Sequence, residues 1–128
     1  MKDIEDRTDI EALMVNFYGK ALLDEVIGFF FTEVVVLDMD RHIPLITDFW
    51  ETVLFEKSSY RGNVFGVHEH IHTLSIFKDE HFIRWVQLFK QSVDELYAGN
   101  NAEKIKQRAE SIATVMRIKL VHSGIELK

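Results

Sequence analysis

Apolar side chains recur at intervals of three and four residues in the first part of the chain, the spacing of one helix face. Thr8 and Glu11, three residues apart, match a capping box and predict that the helix begins at Thr8. It is expected to run for about four turns and end near Asp24. Its apolar positions are Ile10, Leu13, Met14, Phe17, Ala21 and Leu22.

A second helical pattern follows Asp38 and Asp40, either of which can cap it. Its apolar face comprises Ile43, Ile46, Phe49, Trp50, Val53 and Leu54. Pro44 has no amide donor and fits a helix comfortably only in the first turn. The helix is therefore expected to begin near Asp40 or Arg41, with His42 in or just before its first turn.

Two more helices are predicted in the second half of the chain. The third begins at Asp79 and directs inward Phe82, Trp85, Leu88, Phe89, Val93 and Leu96. The sequence Gly99-Asn100-Asn101 is expected to end it and to cap the fourth helix. The fourth is expected to end near Gly124, with its stripe formed by Ile105, Ala109, Ile112, Ala113, Met116 and Leu120.

The stretch from Glu25 to Leu37 gives conflicting signals. Phe29-Phe30-Phe31 and Val34-Val35-Val36 have high strand propensity, but no neighbouring segment alternates as a partner strand would. We therefore predict an irregular connection with a short helical turn. Four sizeable helices without paired strands make the predicted fold class all-α.

Composition limits the classes of function. A chain of 128 residues is expected to form a single domain over 1–128, and a net charge of -6 disfavours nucleic acid or an anionic membrane as partner. The absence of cysteine excludes disulfides, thiolate metal sites and cysteine nucleophiles. The N-terminus has no apolar run of signal-peptide length, and the longest apolar run, Val26 to Phe31, is too short to span a bilayer. A cytoplasmic protein is expected.

The stretch from Tyr60 to His72 contains the densest candidate chemistry. Gly62 and Gly66 interrupt the backbone before His68, whose imidazole is a strong neutral ligand for iron, zinc or copper. His68, Glu69 and His72 also match the H-E-x-x-H pattern of zinc metalloproteases. Such an enzyme needs a third ligand and a substrate-binding edge strand, and an all-α chain offers no obvious strand. A zinc hydrolase therefore stands as an alternative.

The order of several motifs resembles that of the group III truncated haemoglobins. The matching segments run from about Ile10 to about Leu120 and are Phe17-Tyr18, Gly28-Phe29-Phe30-Phe31, His42 followed by Phe49-Trp50, Tyr60-Arg61-Gly62-Asn63, His68, Glu80-His81-Phe82-Ile83-Arg84-Trp85 and Leu88-Phe89. The resemblance implies a truncated globin in which two antiparallel helix pairs, stacked two over two, sandwich haem b.

The same resemblance implies a role for each matching residue. His68 corresponds to the proximal iron ligand, Tyr18 to the distal tyrosine, His42 to the distal-gate histidine and Trp85 to the pocket tryptophan. The residues expected to line the haem or to bind it are Phe31, Ile46, Phe49, Trp50, Tyr60, Arg61 and Phe82. The remaining histidines, read as surface or local-capping residues, are His70, His72, His81 and His122.

The chain departs from the family pattern in three places. Pro44 has no expected counterpart and is expected to hold His42 at the mouth of the pocket. Phe29 replaces the usual proline after Gly28. The stretch after His68, Glu69-His70-Ile71-His72-Thr73, is more polar than the apolar segment expected there.

The implied function is binding of oxygen, nitric oxide or carbon monoxide at a five-coordinate haem iron. Tyr18 and Trp85 carry hydrogen-bond donors on apolar bodies, and such donors are most effective in a dry pocket. Two or three donors suit tight capture or redox chemistry, so expected roles are oxygen storage or transport, or nitric oxide or peroxide detoxification with a reductase. A monomer or weak dimer is expected. A haem-free helical interaction module is the third alternative.

A prediction follows for the iron ligand. Because the loop from Tyr60 to Val67 leads to His68, His68→Ala should abolish stable haem binding, or leave binding that added imidazole restores. His70→Ala and His72→Ala, as matched controls, should bind haem normally. Absorption spectra of the three reconstituted variants test this. Haem loss in His72→Ala together with haem retention in His68→Ala would show that His68 is not the proximal ligand.

Overall fold

The computed structural model describes residues 1–57 and 77–122, with only the backbone of His122. Within these ranges it is all-α, which confirms the predicted fold class. The elements are α1 (Arg7–Ala21), a π-helical turn (Phe30–Val34), α2 (Met39–Phe55), α3 (Asp79–Leu96), α4 (Asn100–Arg117) and a second π-helical turn (Ile118–His122). No helix in the described ranges is long and apolar enough to cross a bilayer.

The first helix begins earlier than predicted. Asp6, in extended conformation, is the N-cap of α1, and its Oδ1 accepts a hydrogen bond of 3.1 Å from the Asp9 amide. The predicted start at Thr8 is wrong because aspartate caps a helix as well as threonine does, and Asp6 lies two residues upstream. The regular helix ends at Ala21, and tighter turns continue to Asp24, close to the predicted end.

The connection after α1 is held by the Asp24 carboxylate. Its Oδ2 accepts from the amides of Val26 and Ile27 at 3.0 and 3.2 Å, and its Oδ1 accepts from Arg84 Nε of α3 at 2.9 Å. The strand-like phenylalanines enter a π-helical turn, so the predicted irregular connection with a helical turn is confirmed. Gly28 is required there, because a Cβ would lie 2.8 Å from the Leu22 carbonyl oxygen.

Asp38 caps α2, with its Oδ1 accepting from the Asp40 amide at 3.1 Å. The helix begins at Met39, so His42 lies in the first turn as expected, and its amide donates to the Asp38 carbonyl at 2.8 Å. Pro44, however, lies in the second turn rather than the first. Since Asp40 and Pro44 are both exposed, water can satisfy the carbonyl that the proline leaves without a donor.

The core lies where α1 packs against α2 and α3, and α3 against α4. Its fully buried side chains include Phe17, Trp50, Phe89, Ile10, Leu13, Met14, Val93 and Ile105. The predicted apolar stripes therefore correspond to the faces that the tertiary structure buries.

The fourth helix is capped from the other end of the sequence. Both carboxylate oxygens of Asp3 accept from the amides of Asn101 and Ala102, at 2.9 and 2.8 Å, and Asn101 Nδ2 donates to the Ile4 carbonyl. The cap of α4 therefore lies within the predicted Gly99-Asn100-Asn101, but its side-chain acceptor comes from Asp3. Gly99 is the N-cap residue but has no side chain, and its φ of 142° favours glycine.

Removal of this cap should destabilise the protein. Asp3→Ala should lower the free energy of unfolding by about 1–2 kcal/mol, because two helix-terminal amides lose their acceptor. Asp3→Asn keeps one acceptor oxygen and should lose less. Chemical denaturation of the three proteins at neutral pH measures the difference. Equal stability of wild type and Asp3→Ala would show that water replaces the carboxylate at no cost.

Candidate functional site

A cavity of about 230 Å³ lies between α1, α2, α3, α4 and the first π-helical turn. One water-sized probe takes roughly 10–15 Å³, so the space suits a far larger molecule. Its walls are mostly aromatic and aliphatic side chains, and the few polar groups include Tyr18, His42 and His81. An apolar cavity with a small number of converging polar groups is typical of a ligand or cofactor site.

The structure brings together every predicted site residue that it describes. The three with polar tips, Tyr18, His42 and Trp85, line this cavity. The apolar residues predicted to surround the cofactor also line it, and they are Phe31, Ile46, Phe49, Trp50 and Phe82. Their contact with haem remains a prediction. Tyr60, Arg61 and His68 lie outside the described residues, so their placement also remains a prediction.

Tyr18 and His42 form a hydrogen-bonded pair across the helices α1 and α2. The Tyr18 hydroxyl lies 2.8 Å from His42 Nε2, and the imidazole tautomer decides which group donates. Pro44 therefore does not remove His42 from the pocket, because the helix start at Met39 directs its ring to Tyr18. Burial raises the pKa of the Tyr18 phenol above its ordinary value, so the hydroxyl keeps its proton at neutral pH.

Three rings around Tyr18 fix the direction of its side chain. Phe17, Phe31 and His42 each meet it edge to face, with centroid distances of 5.0, 5.7 and 4.9 Å. Edge-to-face contacts between rings are favourable and directional. The phenol is thus held at a defined point of the cavity wall rather than free to turn.

Trp85 is placed by its packing on α3 and α1. Its ring stacks on Phe89 at 5.2 Å and meets Phe17 edge to face at 5.7 Å. Phe89 also packs on Trp50 of α2 at 5.1 Å. Tyr18 and Trp85 therefore belong to different helices and line one cavity, as the sequence pattern requires for two groups that serve one ligand.

His81 corrects one prediction from the sequence. The expected local-capping role holds, since Nδ1 accepts from the Lys78 amide at 2.9 Å. The expected surface position is wrong: the side chain is buried and lines the cavity. The sequence contains one signal of this burial: His81 precedes Trp85 by four residues and therefore shares a helix face with it.

The wall supplied by α4 was also missed. Ile112, Ala113 and Met116 line the cavity, although the sequence identified them only as a core stripe. Periodicity shows that a face is buried but cannot show whether it meets another helix or a cavity. No motif in α4 distinguished the two cases.

The zinc alternative remains outside the structural description, because His68, Glu69 and His72 lie in residues 58–76. Within residues 1–57 and 77–122, no group of three His, Asp or Glu side chains is close enough to hold a metal ion. The residues that line the cavity instead suit a large, flat, largely apolar cofactor such as haem. Aromatic walls can contact its ring, and the Tyr18–His42 pair can meet a small ligand beside it.

Comparison with known proteins shows which proteins the chain resembles. No protein-family model matches it. It is 29% identical over 112 residues to the group 3 truncated hemoglobin ctb of Campylobacter jejuni, covering 85% of this chain and 86% of that protein. The crystal structure of the group III truncated hemoglobin from Campylobacter jejuni matches with a TM-score of 0.81 at 29% identity, over 94% of this chain and 95% of the other.

Agreement in fold over almost the whole of both chains shows that the chain has the truncated globin fold. The resemblance to the group III truncated haemoglobins that the motifs predicted is confirmed by both comparisons.

Proposed function

We propose that the protein binds haem b in the aromatic cavity, with His68 as iron ligand, and captures diatomic gases beside Tyr18 and His42. The observation that carries this is the hydrogen-bonded Tyr18–His42 pair, 2.8 Å apart, in a cavity whose other described walls are largely apolar. Similarity to a group III truncated hemoglobin supports the choice of haem as the cofactor.

When bound, haem would supply an iron that takes oxygen, nitric oxide or carbon monoxide. Tyr18 then provides a proton at a fixed position. Because burial keeps its phenol protonated, the hydroxyl is available as a donor throughout the neutral range. When His42 Nε2 carries its own proton toward the Tyr18 oxygen, the phenol proton is free to turn to a ligand. His42 thus orients the donor.

The aromatic walls exclude water from this donor. Phe31 and Phe49 lie beside the polar pair on the cavity surface, and Trp50 closes the core side with 2% of its area exposed. In such surroundings the local dielectric is low, and a hydrogen bond to a polarised ligand is stronger than in water. The residues therefore favour retention of a bound gas over rapid release.

A pocket that retains a bound gas with more than one hydrogen-bond donor suits redox chemistry as well as storage. Donors that stabilise developing negative charge assist cleavage of an oxygen–oxygen bond. We therefore include nitric oxide dioxygenase-like and peroxidase-like turnover in the proposal, with a separate reductase as electron source. Oxygen storage is the form of the proposal that needs no such partner.

One spectroscopic experiment tests the proposal. The purified protein, reconstituted with haem, should show a Soret band that shifts on reduction and again with carbon monoxide, with one porphyrin and one iron per chain. Zinc and peptidase assays run alongside. Peptidase activity that a chelator removes and zinc restores would favour the hydrolase, and Glu69→Gln should then abolish it. No Soret band after reconstitution would favour the haem-free module.

A prediction concerns the distal donor. Tyr18→Phe should speed oxygen dissociation by roughly tenfold or more, because a charge-assisted hydrogen bond in a dry pocket is lost. Carbon monoxide, a weaker acceptor, should change less. Stopped-flow kinetics measures both rates.

The chain offers a matched control for this substitution. Tyr97 is also buried, but its hydroxyl donates to the Asp9 carbonyl at 2.8 Å and does not line the cavity. Tyr97→Phe makes the same chemical change elsewhere and should leave oxygen dissociation unchanged. Equal off-rates for wild type and Tyr18→Phe would show that the phenol does not reach the ligand.

A further prediction concerns the gate. His42→Leu should change mainly the association rate of oxygen and carbon monoxide, because the half-buried imidazole stands between solvent and the cavity at the start of α2. Flash photolysis of the carbon monoxide form measures association directly. An unchanged association rate, with a change confined to dissociation, would make His42 a ligand contact rather than a gate.

A further inference from the structure

We propose that His81 is an acid-sensitive latch on the cavity wall. In its neutral form it holds the first turn of α3 against the surrounding phenyl rings, and on protonation it releases them and the cofactor. The identity of that cofactor rests on the proposed function, whereas the latch itself depends only on the chain.

The latch depends on a hydrogen bond that only a neutral imidazole can make. Nδ1 of His81 accepts from the Lys78 amide at 2.9 Å, the reach-back half of a capping box at the start of α3. A protonated imidazole has two donors and no acceptor. Acceptance at Nδ1 also assigns the proton of the neutral ring to Nε2. Protonation therefore breaks the cap.

The surroundings of the ring disfavour a cation. His81 is 8% exposed and packs edge to face against Phe30 at 4.8 Å, with Phe29 at 5.8 Å and Phe77 at 6.5 Å. Burial lowers the pKa of His81, Glu80 opposes this shift and Lys78 adds to it. The positive end of the helix dipole also lies at this turn.

Among the charged groups in the described ranges, Glu80 forms only a long ion pair with the ring. Glu80 Oε1 lies 3.9 Å from Nε2 and is exposed. Asp79 faces Arg117 of α4, and Arg84 bonds Asp24 after α1. On the π-helical turn that packs against the ring, the titratable residue is Glu33, which is exposed. The charged ring therefore gains little compensation in place.

The ring is connected to the rest of the cavity wall. His81, Phe30 and Phe77 all line the cavity, and both phenyl rings contact the imidazole. Phe82 and Trp85 follow on the same helix and line the same space. Loss of the cap would therefore loosen a wall to which α3, Phe77 before it and the π-helical turn contribute.

The direction of the pH effect follows from the lowered pKa of His81. Above the ordinary histidine pKa of 6.5 the ring is neutral in folded and unfolded chains alike. As the pH falls below that value, His81 becomes protonated in the unfolded chain while it is still neutral in the folded chain. The stability contributed by neutral His81 is thus present above pH 6.5 and is lost progressively as the pH falls from there through the folded pKa.

Two substitutions of His81 distinguish the effect of its hydrogen-bond acceptor from the effect of its aromatic ring. His81→Gln keeps a side-chain acceptor favoured at this helix position but cannot titrate. His81→Phe keeps an aromatic ring but removes the acceptor. In haem-loaded protein, transfer of haem to excess apomyoglobin is followed at about pH 7.5 and about pH 5.5, either side of the ordinary histidine pKa.

The wild-type transfer rate should rise on acidification by roughly threefold to tenfold more than that of His81→Gln, as the loss of one capping interaction implies. Acid effects at other histidines are common to both proteins and cancel in this comparison. His81→Phe should transfer haem faster than wild type at both pH values. Equal pH dependence of wild type and His81→Gln would overturn the proposal.

A second measurement needs no cofactor. In the haem-free chain, nuclear magnetic resonance should show His81 titrating below the ordinary histidine value, with loss of the Lys78 amide hydrogen bond at the same midpoint. Titration at or above the ordinary value would overturn the latch even if His81→Gln failed to fold. Because this readout is independent of haem, failure of the haem proposal leaves the latch testable.

Discussion

The buried Tyr18 hydroxyl in the aromatic cavity needs a hydrogen-bond partner, and this constraint links α1 to α2. A buried donor without a partner costs about 1–3 kcal/mol. The Tyr18 hydroxyl avoids that cost through His42, at 2.8 Å, and so ties the two helices together at the cavity. The same bond leaves one hydroxyl direction free, which allows the pair to serve a ligand as well as the fold.

Aromatic packing extends this constraint into the core. Phe17 meets Tyr18, Trp85 and Phe89 edge to face, so one fully buried ring supports both walls that carry donors. Trp85 and Trp50 both pack on Phe89. Rigid rings that support one another can border an open space without collapsing into it, because each is already held on its other faces.

The sequence predicted what depends on local spacing. Helical periodicity was sufficient for the fold class, and the order of the motifs was sufficient for the resemblance to the group III truncated haemoglobins and for the described residues that meet at the cavity. It could not predict the Asp3 cap, whose partners lie 98 and 99 residues away. The spacing of His81 from Trp85 indicated a shared helix face, but the sequence could not show that rings from outside this helix enclose His81.

The Asp3 contact also has a consequence for the order of events during synthesis. Asp3 is synthesised before α1, α2 and α3, whereas Asn101 and Ala102 follow only after these helices have been made. The start of α4 therefore has no acceptor until nearly the whole chain has been brought back on itself. Closure of so large a loop carries an entropic cost, so the chain should fold more slowly than a bundle stabilised by neighbouring turns alone.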